Sequence, residues 1–561
     1  MPQHLTTGLG KAALLLLFAF LPGQRAAAHP AHAKPVNYPF VVGFERFHSS
    51  QDDDAYLAEG GMILLNELNC VACHAPPAAL ADTLTGVVAT DLTGVATRLD
   101  PIRLEIFIRN PRFLKRDSTM PSLFAGPDRD LDEVLALKQY LANLTYEVPD
   151  YPVGEIESGR NLYHRIGCVA CHAPEPGYRP AGLPDNAVIE MTGLASVPMN
   201  LADLYDLRTL THFLLHPNEH RPSGRMPDFQ LTEKEATDLA AYLKAGPDLT
   251  LPDDLSGALD PDGAFARDPA LVEQGRALFA TKNCTACHLV PGSEGKTGPP
   301  RARPLLELET GGSGGCFSQR PVGGAVPFYG LDEVQKRAIR AALVRLAEKS
   351  PPEGAARIDW RMKLLNCYAC HGRDGIGGAE TSREVYFGFA NEQAKLLGRR
   401  GHLPPDLDGI GGRLTPAWLA RALHGAPEGR KEEAVRPYLA APMPIYRREM
   451  VDPLRELLLE VDDPTDAAGA AADLPGNGAA GEAIFHGKGE CVRCHDAGTV
   501  RSTEWPGIDL TLSPLRLRRS YFEEIVRAPS WRHPGALEDP AGLSREELAD
   551  LWAWLESLAG E

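Results

Sequence analysis

One short pattern occurs five times in this chain and constrains it more than any other feature. It reads Cys70-Val-Ala-Cys73-His74, Cys168-Val-Ala-Cys171-His172, Cys284-Thr-Ala-Cys287-His288, Cys367-Tyr-Ala-Cys370-His371 and Cys491-Val-Arg-Cys494-His495. Ten of the eleven cysteines are used this way, and Cys316 is left over. The first cysteines are separated by 98, 116, 83 and 124 residues. Intervals of that size amount to one small domain per pattern, repeated along the chain. A thioredoxin-like pair or half a zinc site also uses C-x-x-C, but neither requires a histidine after the second cysteine.

C-x-x-C-H is the attachment signature of a c-type haem. The two thiols add across the vinyl groups as thioethers, and the adjacent histidine supplies the proximal nitrogen to iron. The expectation is five covalently bound haems c. Their thioether residues are Cys70, Cys73, Cys168, Cys171, Cys284, Cys287, Cys367, Cys370, Cys491 and Cys494, and their proximal ligands His74, His172, His288, His371 and His495.

The N-terminus supplies a cellular address. Lys11 precedes an apolar run from Ala12 to Leu21, then Pro22-Gly23 and the small residues Ala26, Ala27 and Ala28. These are the parts of a Sec-type signal peptide over residues 1–28, cleaved near Ala28. The apolar run is too short to span a bilayer, and no other stretch is long enough. The expected mature protein is therefore exported, to a periplasm or equivalent compartment, without an integral span. Lys and Arg number 57 against 75 Asp and Glu, a formal net charge of −18. That balance disfavours nucleic acid as a partner, because such binding rests on neutralising phosphates. It favours basic or mixed-charge protein partners through electrostatic steering.

More than the cysteines repeats. Gly61, Gly159 and Gly275 each stand nine residues before a first cysteine, and Leu65, Tyr163 and Phe279 five before. The fifth copy keeps Gly481 and Phe485 with one residue inserted, and the fourth lacks the glycine. Downstream come Asp91-Leu-Thr-Gly, Glu190-Met-Thr-Gly, Asp406-Leu-Asp-Gly and Asp509-Leu-Thr-Leu. Each repeat closes with a segment of helical period, for example TEKEATDLAAYLKAG and SREELADLWAWLESL.

This order resembles the class I cytochrome c domain, from about residue 52 to the end. The resemblance implies an all-α chain of five tandem cytochrome c domains over 55–148, 152–246, 268–350, 355–461 and 478–561, after an arm over 29–54. It implies that the first and last helices of each domain cross at the glycine, against an aromatic such as Tyr140, Tyr242 or Trp554. It implies a distal methionine before the closing helix. Met120, Met226 and Met443 each precede a proline there and are the expected distal ligands of haems one, two and four. In the fifth repeat His533-Pro534 stands in that place, which points to bis-His ligation. The third repeat has Val326-Pro327, and valine has no donor atom. Two readings stay open there. Either Cys316 is a distal thiolate, resembling sulfur-oxidising cytochromes, or haem three is open and Cys316 is a free thiol.

The functional expectation is an exported pentahaem cytochrome that relays electrons between redox partner proteins, namely a donor dehydrogenase, a quinol-linked complex or a small cytochrome. It loosely resembles the cytochrome subunits of exported dehydrogenases. The alternative is a haem enzyme with its catalytic haem in the third domain, acting on a sulfur compound or a peroxide, with Cys316 as candidate catalytic residue.

Overall fold

The structure is a computed structural model. It describes residues 36–50, 53–124, 131–180, 183, 196–199, 204–245, 267–292, 302–308, 314–322, 326–348, 352–425, 439–462, 474–504, 508–527 and 542–560. The expected signal peptide, the start of the arm, the Glu190 segment and His533 lie outside the described residues.

Helices dominate, and one two-stranded ladder pairs Gly372–Arg373 with Ile376–Gly377. In chain order the principal helices are α1 (Val42–Phe47), α2 (Asp54–Glu67), α3 (Pro101–Arg109), α4 (Leu131–Leu141), α5 (Ile156–Tyr163), α6 (Leu207–Leu215), α7 (Glu233–Lys244) and α8 (Pro269–Thr281). They continue with α9 (Glu333–Glu348), α10 (Gly354–Leu364), α11 (Pro416–His424), α12 (Arg448–Val461), α13 (Gly478–His486), α14 (Arg519–Arg527) and α15 (Arg545–Ala559). Their starts are written locally. Thr232 with Glu235, and Ser544 with Glu547, form capping boxes on α7 and α15, each satisfying otherwise unpaired amides of the first turn. Asp100 and Asp268 cap α3 and α8, with proline in the first turn. None of the helices among the described residues is long and apolar enough to cross a membrane.

The helix crossings show how the segments assemble. A Cβ placed on Gly159 of α5 would lie 1.9 Å from the carbonyl oxygen of Asp238 in α7, and one on Gly481 of α13 would lie 2.0 Å from that of Asp550 in α15. Only glycine lets the backbones approach so closely. Tyr242 and Trp554 lie beside these crossings. The second and fifth segments thus pair their own first and last helices. The fourth, without the glycine, shares one apolar cluster between its own helices, with Ile358 and Met362 on α10 and Val451, Leu454 and Leu458 on α12.

The first and third segments are different, and here the expected boundaries are corrected. A Cβ on Gly61 of α2 would lie 2.0 Å from the carbonyl oxygen of Ala338, which is on α9. One on Gly275 of α8 would lie 1.9 Å from that of Ala136, which is on α4. The closing helix of the third segment therefore packs on the first helix of the first, and the reverse also holds. Tyr140, expected beside Gly61, lies beside Gly275, and Gly61 meets Ala342 instead. The spans 55–148 and 268–350 are not self-contained. Their halves are exchanged, as in a domain swap carried out within one chain. Each crossing needs only a glycine facing a backbone carbonyl, and both segments offer one, so local sequence does not dictate the partner.

The arm is threaded through this pair. The amide of Phe40 donates to Asp117 O, and Gln335 Nε2 donates to Pro39 O. Phe44 of α1 is fully buried, and a Cβ on Gly43 would meet Lys363 O of α10 at 2.7 Å. The arm, with its one short helix, thus touches the first, third and fourth segments.

Candidate haem-attachment sites

All five motifs adopt one local geometry. The first three residues of each form a single 3-10 turn, and the histidine amide donates to the carbonyl of the first cysteine at 2.9–3.0 Å. The residue before each turn has positive φ: Asn69 58°, Gly167 102°, Asn283 62°, Asn366 56° and Glu490 48°. Asparagine and glycine tolerate that conformation best, which explains four of the five.

The histidines are also oriented alike. Nδ1 of His74, His172, His288, His371 and His495 lies 2.7, 3.0, 2.8, 2.7 and 2.8 Å from the carbonyl oxygens of Arg303, Val197, Thr90, Pro405 and Ile508. A carbonyl only accepts, so each ring carries its proton on Nδ1 and leaves Nε2 free to bind a metal. Burial holds His172 down to about 4, and it lowers His288 as well. The accepting carbonyls explain the recurring Asp-Leu segments, because Thr90, Pro405 and Ile508 immediately precede Asp91, Asp406 and Asp509. They also repeat the exchange. His288 of the third segment uses Thr90 of the first, and His74 of the first uses Arg303 of the third.

The cysteines are half-buried. Desolvation pushes Cys70, Cys168, Cys284 and Cys367 up to about 12, and Cys491 up to about 11. Reactive and zinc-binding cysteines have depressed values instead. No disulfide joins any of the eleven cysteines, and among the described residues no three His, Cys, Asp or Glu side chains converge on a metal site.

The distal loops are arranged in two pairs. Asp228 and Ile445 form an antiparallel bridge, two residues after Met226 and Met443. Ser122 and Phe328 form the same bridge, two residues after Met120 and Val326. Tyr446 donates to Leu365 O at 3.0 Å, and Tyr329 to Leu68 O at 2.9 Å. Each acceptor stands two residues before a first cysteine. The loop of the third segment therefore faces the first motif. Cys316 and Phe317 go with it: Cys316 is an electrostatic neighbour of Cys70 and Cys73, and Phe317 packs in the cluster that holds Cys70 and Val71. The expected placement of Cys316 at the third motif is thereby corrected. The loop carrying Met120 leads into α4, which packs on α8, and Phe124 lies beneath Lys282 with 5.5 Å from ammonium to ring centroid. Met226 packs against the cluster that takes up Cys168 and also Cys284, and Met443 against the one that takes up Cys367.

Several residues join one site to the next, and the sequence reading passed them over. Asn69 Nδ2 donates to Cys287 Sγ at 3.0 Å, Asn283 Nδ2 to Cys73 Sγ at 3.9 Å, and Asn366 Nδ2 to Cys171 Sγ at 3.2 Å. An asparagine before the first cysteine was the available signal. Arg225, next to Met226, holds Glu67 Oε2 at 2.7 Å, Glu67 O at 2.6 Å and Thr119 Oγ1 at 2.7 Å. Arg383 donates to the carbonyls of Val169 and His172 and to Ser196 Oγ. The fifth unit docks on the fourth through the Leu414–Leu517 bridge and Thr415 Oγ1 to Leu515 O at 2.7 Å. His212, His216 and His220 form a group of tilted and edge-on ring contacts with Tyr146 and Tyr151 rather than a metal site.

Residues 156–246 match the family model for Cytochrome c. Neither the curated proteins nor the solved structures compared with the chain gave a match. The matched stretch runs from α5 to the end of α7 and includes Cys168, Cys171, His172 and Met226. It identifies a cytochrome c domain, a module that binds haem and transfers electrons. The residues present fit that group on structural grounds. A paired-thiol turn, an imidazole with Nε2 left free, and a methionine in the facing loop are the donors a c-type haem requires.

Proposed function

We propose, from the cytochrome c domain over 156–246 as premise, that the whole chain is an exported pentahaem electron-transfer cytochrome. The observation that carries this reading is the fivefold identity of the attachment turn, with the same histidine Nδ1 contact at every copy. Each motif would hold one haem through its two cysteines and its histidine. Met120, Met226 and Met443 are distal ligands in this reading, and His533 is the distal ligand at the fifth motif. Haem iron supplies one-electron redox chemistry, and the protein supplies position and tuning.

What this chain's own residues do is hold the sites close and rigid. The asparagine bridges bring the attachment edges of motifs one and three together, and those of two and four. Arg225 fastens the distal loops of motifs two and three to the helix that leads into motif one. The Leu414–Leu517 bridge continues the series to motif five. A continuous chain of sites suits relay between a donor dehydrogenase or respiratory complex and an acceptor. The acidic surface suits basic or mixed-charge partners, after export and cleavage near Ala28.

Haem stoichiometry by alkaline pyridine spectroscopy, together with intact mass, tests the reading. Five haems per chain and no residual free thiol in the motifs are expected. One haem per chain would refute it.

A second reading, a haem enzyme, draws support from Val326, which stands where the other described distal loops carry methionine. The exchanged packing moves that centre from the third motif to the first.

A further inference from the structure

We propose that the coordination-open haem of this chain is the one attached at Cys70 and Cys73, and that small neutral or anionic iron ligands bind there. The inference rests on the pentahaem reading above and concerns the distal side of one site.

The four described distal loops are in a common register. In each, a residue followed by proline precedes a bridge residue by two: Met120 before Ser122, Met226 before Asp228, Val326 before Phe328 and Met443 before Ile445. Val326 therefore occupies the methionine position. The tyrosine three residues later fixes which motif each of two loops serves. Tyr446 binds the carbonyl two residues ahead of Cys367, and Tyr329 binds the carbonyl two residues ahead of Cys70. Val326 stands to Cys70 as Met443 stands to Cys367.

No other described methionine fills the gap. Met62 is on α2 and is buried in the apolar core, Met199 is buried in the cluster that holds Tyr163 and Cys168, and Met362 and Met450 belong to the fourth unit. The Tyr329 hydroxyl is committed to Leu68 O. His48 lies on the arm and packs on Tyr56 and Gly60 of α2, so it sits toward the end of that helix away from Cys70, at least ten residues earlier in the chain. The apolar cluster that takes up Cys70 and Val71 includes Phe317, Tyr329 and Leu331, from the chain on either side of Val326. Cys316 is the other candidate donor; it neighbours Cys70 and Cys73, at the edge where the thioethers would form, while Val326 holds the methionine position. Met120, meanwhile, is left to the third motif, whose histidine carbonyl, crossing helix and covering Phe124 all come from the first segment.

Carbon monoxide titration of the reduced, full-length holoprotein tests this. Haem count is measured first on each sample, so that a failure of the pentahaem reading is seen separately. Val326→Met is expected to remove one CO-binding haem relative to the parent and to add a His/Met charge-transfer band. Met120→Ala is expected to add one CO-binding haem. The double variant Cys284→Ala/Cys287→Ala, which lacks the third haem, is expected to keep the parent CO site. Cys316→Ser is expected to leave that CO site unchanged. Loss of the site in the double variant, its survival in Val326→Met, or a CO site that appears only in Cys316→Ser overturns the proposal. A measurement independent of haem covers the case in which a haem-deficient variant does not fold. Lys282 Nζ lies 2.5 Å from Glu133 Oε2 across the exchanged crossing. A zero-length carbodiimide cross-link between these two residues is expected in the native holoprotein. A Lys282 cross-link to α9 instead would overturn the exchange and the proposal with it.

Discussion

Replacing Gly275 by alanine probes the exchanged crossing directly. The added Cβ would sit 1.9 Å from the carbonyl oxygen of Ala136 and 2.8 Å from Tyr140 Cβ. The carbonyl is part of the α4 ladder and cannot swing aside, so the two helices must separate by about 1 Å to reach ordinary contact. Overpacking of this kind costs about 1–3 kcal/mol. Alanine recovers up to about 1 kcal/mol of helix propensity. The net expectation is a destabilisation of about 1–2 kcal/mol in the transition that carries α4 and α8. Gly478→Ala is the control. It lies at the start of α13 with no neighbour nearer than 3.7 Å, so only the propensity gain should appear. Guanidinium unfolding of the holoprotein, followed at the Soret band, resolves the affected step, since a chain of several units does not unfold in two states. A double-mutant cycle adds the partner. Gly275→Ala should couple to Tyr140→Ala and be additive with Ala342→Gly, because contacting residues couple and distant ones do not. Gly275→Ala as stable as the control, or coupled to Ala342 rather than Tyr140, would refute the reasoning.

Other expectations concern separate parts of the molecule. Arg373 and Asp462 are each 5% exposed and joined at 2.7 and 2.9 Å. Asp462→Asn should cost about 1.5–3 kcal/mol, because the guanidinium keeps Asp374, 3.3 Å from its Nε, as its remaining counter-charge, read as early unfolding of the fourth unit. His48 is fully buried, and burial, with Lys363 nearby, holds it down to about 4. Its folded value lies below the unfolded one, so its contribution is present above pH 6.5 and is lost as pH falls toward 4. The arm should therefore loosen over that window, at up to about 1.4 kcal/mol per pH unit. His48→Phe should flatten the slope, and amide exchange of α1 measures it. Arg225→Gln removes charged contacts worth about 1.5–3 kcal/mol each. It should shift the potentials of two neighbouring haems together in a redox titration, where a purely local role would shift one. His533→Ala should convert one low-spin haem to a ligand-accessible one, and an unchanged spectrum would remove His533 from the set of distal ligands.

Much of each site is legible from residues adjacent in sequence. Cysteine spacing and the following histidine specify a turn whose bonds close within five residues, as between His74 N and Cys70 O. The glycines nine residues upstream mark the crossings, since nothing larger fits against a carbonyl. The capping boxes of α7 and α15 and the proline starts of α3 and α8 are local too. The asparagine bridges were readable only in part. Asn69, Asn283 and Asn366 announce a left-handed residue, but not that each side chain reaches a sulfur of another site.

What tertiary structure alone decided is which half completes which site. Gly61 accepts the backbone of Ala338, and Gly275 that of Ala136, although each chain segment supplies its own closing helix. The reason is physical. A crossing is specified by a missing side chain, and a missing side chain does not name its partner. Long-range packing of α9 on α2 and of α4 on α8 makes the choice. With it, the loop that carries Val326, and Cys316 with it, comes to the first motif, and on the proposal above Met120 is left to the third. The five-fold pattern is written in the sequence by itself. The place of the odd site within that pattern is written only in the fold.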